Sequence, residues 1–409
     1  MILPAGIAPE ARLLLLGRAL RAFCDGFVAI LLPAYLLALG MGTWEVGIIS
    51  TATLLGSALL TLALGHWAHR FDPRHLLLVA AWLMCVTGLL LAGLSNFWPL
   101  LLVAFFGTIN PSSGDVSVFL PLEHARLSAA AQGEARTTLF SRYTFVGAIC
   151  AAFGALATGL PELLTGWGVD RLTALRAMFV GYGFVGVLVF LLYRRLPVLA
   201  THEEAAKPTP LGPSKRTVFK LAALFSLDAF AGGLVLNTLL ALWLFERFGL
   251  SLAAAGAFFF WAGLLTAVSQ LAAPVVARRI GLLNTMVFTH IPANIALIVG
   301  ALAPSLEWAL ALLLIRALLS QMDVPTRAAF VMAVVTPPER AAAASFTAVP
   351  RSLAAAASPA LGGALFAAGW LATPLVACGV LKIAYDLAIW RAFRKIAHEK
   401  VGAGRTAVP

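Results

Sequence analysis

Five aspartates, Asp25, Asp115, Asp228, Asp323 and Asp386, and seven cations, Arg18, Arg21, Arg142, Arg316, Arg327, Arg351 and Lys382, interrupt stretches of chain otherwise built mainly from Leu, Ala, Val, Ile, Gly and Phe. A charge at the centre of a membrane span costs at least about 2.5–3.5 kcal/mol, so each one marks a partner, a wet cavity or a path for a charged solute. In the run around "SQMDVPTRAAF", residues 320–330, Arg316, Ser320, Asp323 and Arg327 recur at i, i+4, i+7 and i+11. On a continuous helix they share one stripe, which must face protein or water. Arg18, Arg21 and Asp25 repeat the pattern at i, i+3 and i+7, and Arg21/Asp25 reads either as a self-neutralised pair or as part of a solute path. Asp228, in "FSLDAFAGG", has no basic residue nearer than Lys220. An acid without a local partner is a candidate proton carrier, so Asp25 and Asp228 are expected to couple protons or bind substrate, with Arg316 a cavity cation able to clamp a carboxylate.

Other polar groups read as structural. Lys382 and Asp386 stand at i, i+4 and are expected to pair with each other, and His290 with Asn294 reads as a hydrogen-bonded helix contact. The cluster His66, His69 and His75 lacks acids or cysteines at ligand spacing, so no metal and no cofactor is expected. Neither a phosphate-binding loop, a nucleophile elbow nor a zinc-protease pattern occurs, so the chain is not expected to be an enzyme. Cys24, Cys85, Cys150 and Cys378 form no CxxC pair and all fall in apolar runs.

The elements that must position these charges follow from composition. Of 409 residues, 61% are hydrophobic and 11% charged, and the mean hydropathy is +0.93. These values define a polytopic membrane protein. About 20 apolar residues cross a bilayer as a helix, and the chain divides into twelve such stretches, near 13–39, 45–68, 75–95, 98–122, 137–160, 174–193, 217–245, 251–277, 282–303, 306–329, 341–368 and 374–396. Continuous apolar runs such as "LLLVAAWLMCVTGLLLAGL" exclude alternating barrel strands. No cleavable signal pattern precedes the first run, which is expected to be the first span. With the N-terminus inside, 19 of the 29 Lys and Arg fall in cytoplasmic segments and 3 outside, which predicts a multi-pass protein with both termini cytoplasmic. The net charge of +11 is then explained by topology and contact with anionic membrane lipid, and no nucleic-acid partner is expected.

The polar stretch "YRRLPVLATHEEAAKPTPLGPSKRT" lies between six spans on either side. It predicts an N-terminal half at 1–193, a cytoplasmic linker at 194–216, a C-terminal half at 217–397 and a tail at 398–409. The halves read as parallel repeats. At an offset of 209, Gly40 meets Gly249, Gly47 meets Gly256, Arg70 meets Arg279, Arg142 meets Arg351 and Gly154 meets Gly363, while Asp115 meets Asp323 at 208.

The loop "GHWAHRFDPRH" is close to the signature G-x-x-x-[DN]-[RK]-x-G-[RK]-[RK] between spans 2 and 3 of the major facilitator superfamily of secondary transporters. Gly65, Arg70 and Arg74 fit, while His69 replaces the acid and Asp72 the second glycine. Its repeat in "PVVARRIG" keeps Arg279 and Gly281, "TPPERAAAASF" is similar to the family's loop before spans 5 and 11, and "SPALGG" looks like a helix-packing pattern of drug antiporters, here in span 11. The whole chain thus resembles that family. The resemblance implies an all-α fold of twelve helices in two pseudo-symmetric halves, a rocker-switch carrier with spans 1, 4, 7 and 10 lining a cavity and spans 4, 5, 10 and 11 closing its cytoplasmic side. Four of the five span aspartates fall on the cavity helices, and Asp115, Arg142, Asp323 and Arg351 fall on the closing ones as inner-gate ion pairs, where pairing across the halves would make a latch and pairing within each half a static brace.

The expected function is alternating-access transport of a small molecule by a monomer in a bacterial inner membrane, coupled to protons, with export favoured by the "SPALGG" resemblance. Proton-coupled uptake of a small organic anion, carriage of a metal ion, and a membrane receptor on a transporter scaffold are the alternatives.

Overall fold

The computed structural model describes residues 10–67, 71–112, 117–130, 133–198 and 211–405. Arg70 and Asp115 lie outside them. The elements are helices α1 (Glu10–Ala38), α2 (Thr43–Trp67), α3 (Pro73–Gly93), α4 (Phe97–Phe106), α5 (Phe119–Ala130), α6 (Gly133–Leu156), α7 (Leu160–Gly166), α8 (Arg171–Tyr193), α9 (Lys215–Gly233), α10 (Asn237–Phe248), α11 (Leu252–Ile280), α12 (Leu282–Ala301), α13 (Leu306–Ser320), α14 (Asp323–Val334), α15 (Arg340–Ala367) and α16 (Thr373–Arg405). Among the described residues, ten helical stretches are long and apolar enough to cross a membrane. The other two expected spans are the fourth, held by α4 and α5, and the eleventh, held by the Ala-rich α15.

Three spans that read as continuous are broken. The fourth is interrupted between Phe106 and Phe119, the seventh between Gly233 and Asn237, and the tenth at Gln321 and Met322. A gap in a membrane helix frees backbone groups that must find other partners. In the first two cases they find each other, because Thr238 donates its hydroxyl to the carbonyls of Ala29 and Pro111 at 2.8 and 2.9 Å, and Asn237 donates to Ser112 O at 3.1 Å. The run from Arg316 to Arg327, expected on one continuous helix, is divided between two. Arg316 and Ser320 belong to α13, and Asp323 opens α14, where an acid complements the positive end of the helix dipole.

By compactness the chain forms two units, Met1–Glu203 with Val235–Leu264 and Pro359–Leu371, and Glu204–Leu234 with Leu265–Ser358 and Ala372–Pro409. The first unit carries the repeat in its backbone. Gly40 and Gly249 both take positive φ, 82° and 61°, where each chain leaves a helix. Gly47 lies on Gly363 so closely that a methyl group on it would come within 2.9 Å of the partner's Cα, and the equivalent Gly256 lies on Ala155 O. Small residues at these crossings let helix backbones touch, the packing that membrane helices rely on.

A buried ion cage stands in the same unit. Arg21 on α1 donates to Glu123 of α5 at 2.5 Å, and the hydroxyls of Tyr143 on α6 and Tyr193 on α8 donate to the same carboxylate. The expected partner of Arg21 was Asp25, one turn away; the structure gives Arg21 to Glu123, a residue just past the expected end of span 4. Both side chains are almost fully buried, so Glu123→Ala would strand a buried guanidinium and two phenols. The expected loss is about 3–5 kcal/mol of stability, read as a fall in the thermal midpoint in detergent. An unchanged midpoint would mean that water enters the cage.

In the second unit, the carboxylate of Glu339 in the turn before α15 accepts from the N–H groups of Gly212 and Ser214 and from the Thr336 hydroxyl. The hydroxyls of Ser214 and Thr336, helped by the two N–H groups, hold its pKa down to about 2. A depressed carboxyl pKa stabilises above the unfolded value of about 4.3 and loses that contribution only as pH falls toward 2, so this tie between linker end and loop persists through the physiological range.

Candidate functional site

Six helices of the second unit direct polar side chains into one cavity of about 140 Å³. Asp228 comes from α9, His290 and Asn294 from α12, Arg316 and Ser320 from α13, Asp323 and Arg327 from α14, Arg351 from α15 and Lys382 from α16. Helical spacing explains why the charges point inward. On α9 the buried face runs Val218, Leu221, Ala222, Phe225, Asp228 and Ala229, so Asp228 occupies a core position on a stripe of period 3.6. Lys382 and Asp386 share a face of α16 with the buried Cys378, Tyr385, Ile389 and Phe393. Next to the cavity an apolar cluster of Phe225, Met286, Phe330, Tyr385 and Phe393 fills the helix interfaces.

Asp228 is not a lone acid. Its Oδ1 accepts from Lys382 Nζ at 2.6 Å and its Oδ2 from Arg327 Nη1 at 2.8 Å, and it is only 3% exposed. Arg327 also lies 3.4 Å from Asp323 one turn earlier and 5.6 Å from the Phe225 ring. The expected Lys382–Asp386 pair does not form either. Lys382 turns to Asp228, and Asp386 meets His290, whose Nδ1 is 3.0 Å from both carboxylate oxygens. Asn294 donates to His290 O at 2.9 Å, the helix contact expected of that pair.

Four cations, Arg316, Arg327, Arg351 and Lys382, line the cavity against two carboxylates, Asp228 and Asp323. Both acids are engaged by Arg327 and Lys382. Among the described residues no carboxylate lies within salt-bridge distance of Arg316 or Arg351, and Arg316 Nε is buried without a hydrogen-bond partner. The cavity thus holds two more cations than carboxylates, inside an apolar helical unit.

The remaining expected site residues fall elsewhere. Asp25 is buried on α1 beside Arg21, in the first unit, and Arg142 lies on α6. Of the loop residues, Gly65 lies on α2, and Arg74 donates to Arg194 O at 2.7 Å. Asp72 caps α3 through Arg74 N at 2.9 Å and pairs with Arg126 at 3.1 Å. Arg279 ends α11, and Gly281 takes φ 87° at the start of α12, a conformation glycine alone adopts freely. A larger cavity, about 440 Å³, is apolar apart from Glu162, whose carboxylate caps α11 through the N–H groups of Leu252 and Ala253.

Broken helices converging on a buried, charged cavity define a membrane carrier of the all-helical transporter class. The model of the Major Facilitator Superfamily matches residues 14–322, and the chain belongs to that family. It is 25% identical over 404 residues, 90% of each chain, to the uncharacterized membrane protein YJR124C of Saccharomyces cerevisiae. Its fold is similar to a bacterial homologue of the human lysosomal transporter Spinster, with a TM-score of 0.72, 17% identity and 94% and 97% of the two chains covered. It is similar as well to the nucleoside transporter NupG, with a TM-score of 0.72, 15% identity and 94% and 99% coverage. The xylose transporter XylE of E. coli matches with a TM-score of 0.69, 14% identity and 92% and 95% coverage. The chain is thus a multi-pass membrane protein of a family that transports small solutes.

Proposed function

We propose that the chain is a secondary carrier of a small organic anion, whose acidic group is bound in the cavity of α9 and α12 to α16 by Arg316 and Arg351. The observation that carries this reading is the cation surplus of that cavity, with the Arg316 guanidinium left incomplete. A guanidinium presents a planar fork that matches a carboxylate or phosphate. The volume, equivalent to about four or five waters, fits such a group and a few carbons. The expected reading of Asp228 as proton carrier gives way here to a counter-ion role, because its two oxygens fix Lys382 and Arg327 in place. The cavity acids are already engaged by cations, which disfavours the metal-ion alternative.

In this proposal transport is proton-coupled, both termini are cytoplasmic, and Asp115, Arg142, Asp323 and Arg351 serve the inner gate, so that Arg351 links binding to closure. Asp25, on α1 of the first unit, keeps its expected role as an acid for proton coupling or substrate binding in this proposal. The same site serves export and uptake, and the bacterial inner membrane is the proposed location.

A ligand binding the native state at 100 times its Kd stabilises it by about 2.7 kcal/mol. Thermal unfolding of the purified protein at pH 7, with millimolar acetate, lactate, succinate, citrate, glycerol phosphate, uridine, xylose and choline, tests the class. At least one of the anions is expected to raise the midpoint, while uridine, xylose and choline leave it unchanged. Stabilisation by a neutral or cationic solute alone would overturn the anion reading.

A further inference from the structure

We infer that the His290–Asp386 pair is the proton-binding element of this carrier, and that a proton taken up there strengthens anion binding in the adjoining cavity. The inference rests on the anion reading for its second half and on geometry alone for its first.

His290 is 3% exposed and Asp386 0%. Burial of this kind is kept for groups that are paired. Both carboxylate oxygens of Asp386 lie 3.0 Å from the same imidazole nitrogen, Nδ1. His290 lines the cavity and Asp386 does not, so the imidazole is the member of the pair within reach of cavity water or a bound solute. Histidine is also the side chain whose ordinary titration lies between pH 5 and 8.

The surroundings distinguish this pair from the two carboxylates that line the cavity. Asp228 on α9 is held by Lys382 of α16 and Arg327 of α14, and Asp323 on α14 by Arg327. Arg316 on α13 and Arg351 on α15 face the cavity, Cys378 and Tyr385 share α16 with Asp386, and the Tyr385 ring stands 6.4 Å from that of His290. The cations nearest the pair are thus either bound to other acids or turned toward the cavity. Among the described residues Asp386 has one hydrogen-bonding partner, His290, and that partner can gain or lose a proton.

The charge balance gives the coupling its sign. With a proton on His290 the pair is neutral and the cavity keeps its two surplus positive charges. When His290 releases the proton to cavity water, the Asp386 carboxylate is uncompensated and the site as a whole falls to one surplus charge. An anion therefore binds more tightly to the protonated form, and by linkage its binding draws a proton onto the pair. Anion and proton then occupy the carrier together, which is co-transport in one direction.

Two measurements separate this inference from the reading it builds on. Without any ligand, proton uptake by the purified protein between pH 8.5 and 5 is measured by titration, together with infrared difference spectra of imidazole and carboxyl bands. The double variant His290→Gln/Asp386→Asn is expected to take up one proton fewer than the wild type, because in His290→Gln alone the buried, unpartnered Asp386 would itself accept the proton, and Asp386→Asn to move that proton's midpoint to lower pH. Equal uptake by wild type and the double variant, with both correctly folded by gel filtration, would overturn the proton site whatever the substrate is. With succinate, lactate and inorganic phosphate as probes, calorimetry in buffers of different ionisation enthalpy reads the protons bound per anion. The wild type is expected to gain up to about tenfold in affinity per pH unit of acidification through the pair's titration, and the double variant His290→Gln/Asp386→Asn to lose that dependence. Affinity independent of pH in the wild type would overturn the coupling. Should none of the three anions bind at any pH, the anion reading and the coupling fall together, and the ligand-free titration alone decides the proton site.

Discussion

Asp228→Ala is expected to destabilise the protein by about 3–5 kcal/mol, because it leaves two buried cations without their counter-ion. Lys382 and Arg327 converge on the two oxygens of this carboxylate from different helices, at 2.6 and 2.8 Å, with all three side chains largely buried. Removing the acid takes away both contacts and leaves four cations facing one carboxylate in the cavity. Asp228→Asn should cost less, since the amide oxygen still accepts one hydrogen bond. In the Asp228→Asn background, Lys382→Met should recover part of the loss by removing one orphaned charge. Thermal unfolding in detergent at pH 7 reads all three variants. A loss below about 0.5 kcal/mol in Asp228→Ala, the range of an exposed site, would show that water already solvates the triad.

Arg316→Ala is expected to do the opposite, leaving the fold intact and removing the ligand. Among the described residues no acid pairs with Arg316, so its loss strands no charge and relieves some repulsion within the cation-rich cavity. A charge-assisted hydrogen bond contributes about 1.5–3 kcal/mol, so anion affinity should fall about 10- to 150-fold while the thermal midpoint of the ligand-free protein holds or rises. Arg316→Lys keeps the charge and loses the planar fork, and should fall between wild type and alanine. An Arg316→Ala variant that binds the anion as well as wild type, but unfolds as readily as Asp228→Ala, would return Arg316 to a structural role. The two substitutions thus separate the charges that hold the unit together from the charge left for a solute.

Helix positions and the repeat were legible because each depends on local patterning. Apolar runs of bilayer length marked the spans, and glycines at a constant offset marked the repeat. Gly40 and Gly249 show why the second signal is physical: both stand where the chain leaves a helix in a conformation that favours glycine. The residue types of the site were legible as well, since charge within an apolar run is conspicuous whatever its surroundings. Glu123 escaped notice because it stands just beyond the residue at which span 4 was taken to end.

What the sequence by itself determined is an all-helical membrane chain of two related halves and the charged residues that its spans carry. Partners were decided by tertiary structure alone. Lys382 stands one turn from Asp386, yet it pairs with Asp228, 154 positions away, and Asp386 pairs with His290. Arg21 stands one turn from Asp25 and pairs with Glu123, 102 positions away. The breaks in the fourth, seventh and tenth spans belong to the same class, because a gap is tolerated only where another segment satisfies the freed backbone, as Thr238 does for Pro111. Spacing along one helix fixes direction but not distance to other helices, and an i, i+4 contact between long side chains is worth only about 0.5 kcal/mol. A better-placed partner on a neighbouring helix, in a dry interior where an unpaired charge costs several times as much, outweighs it.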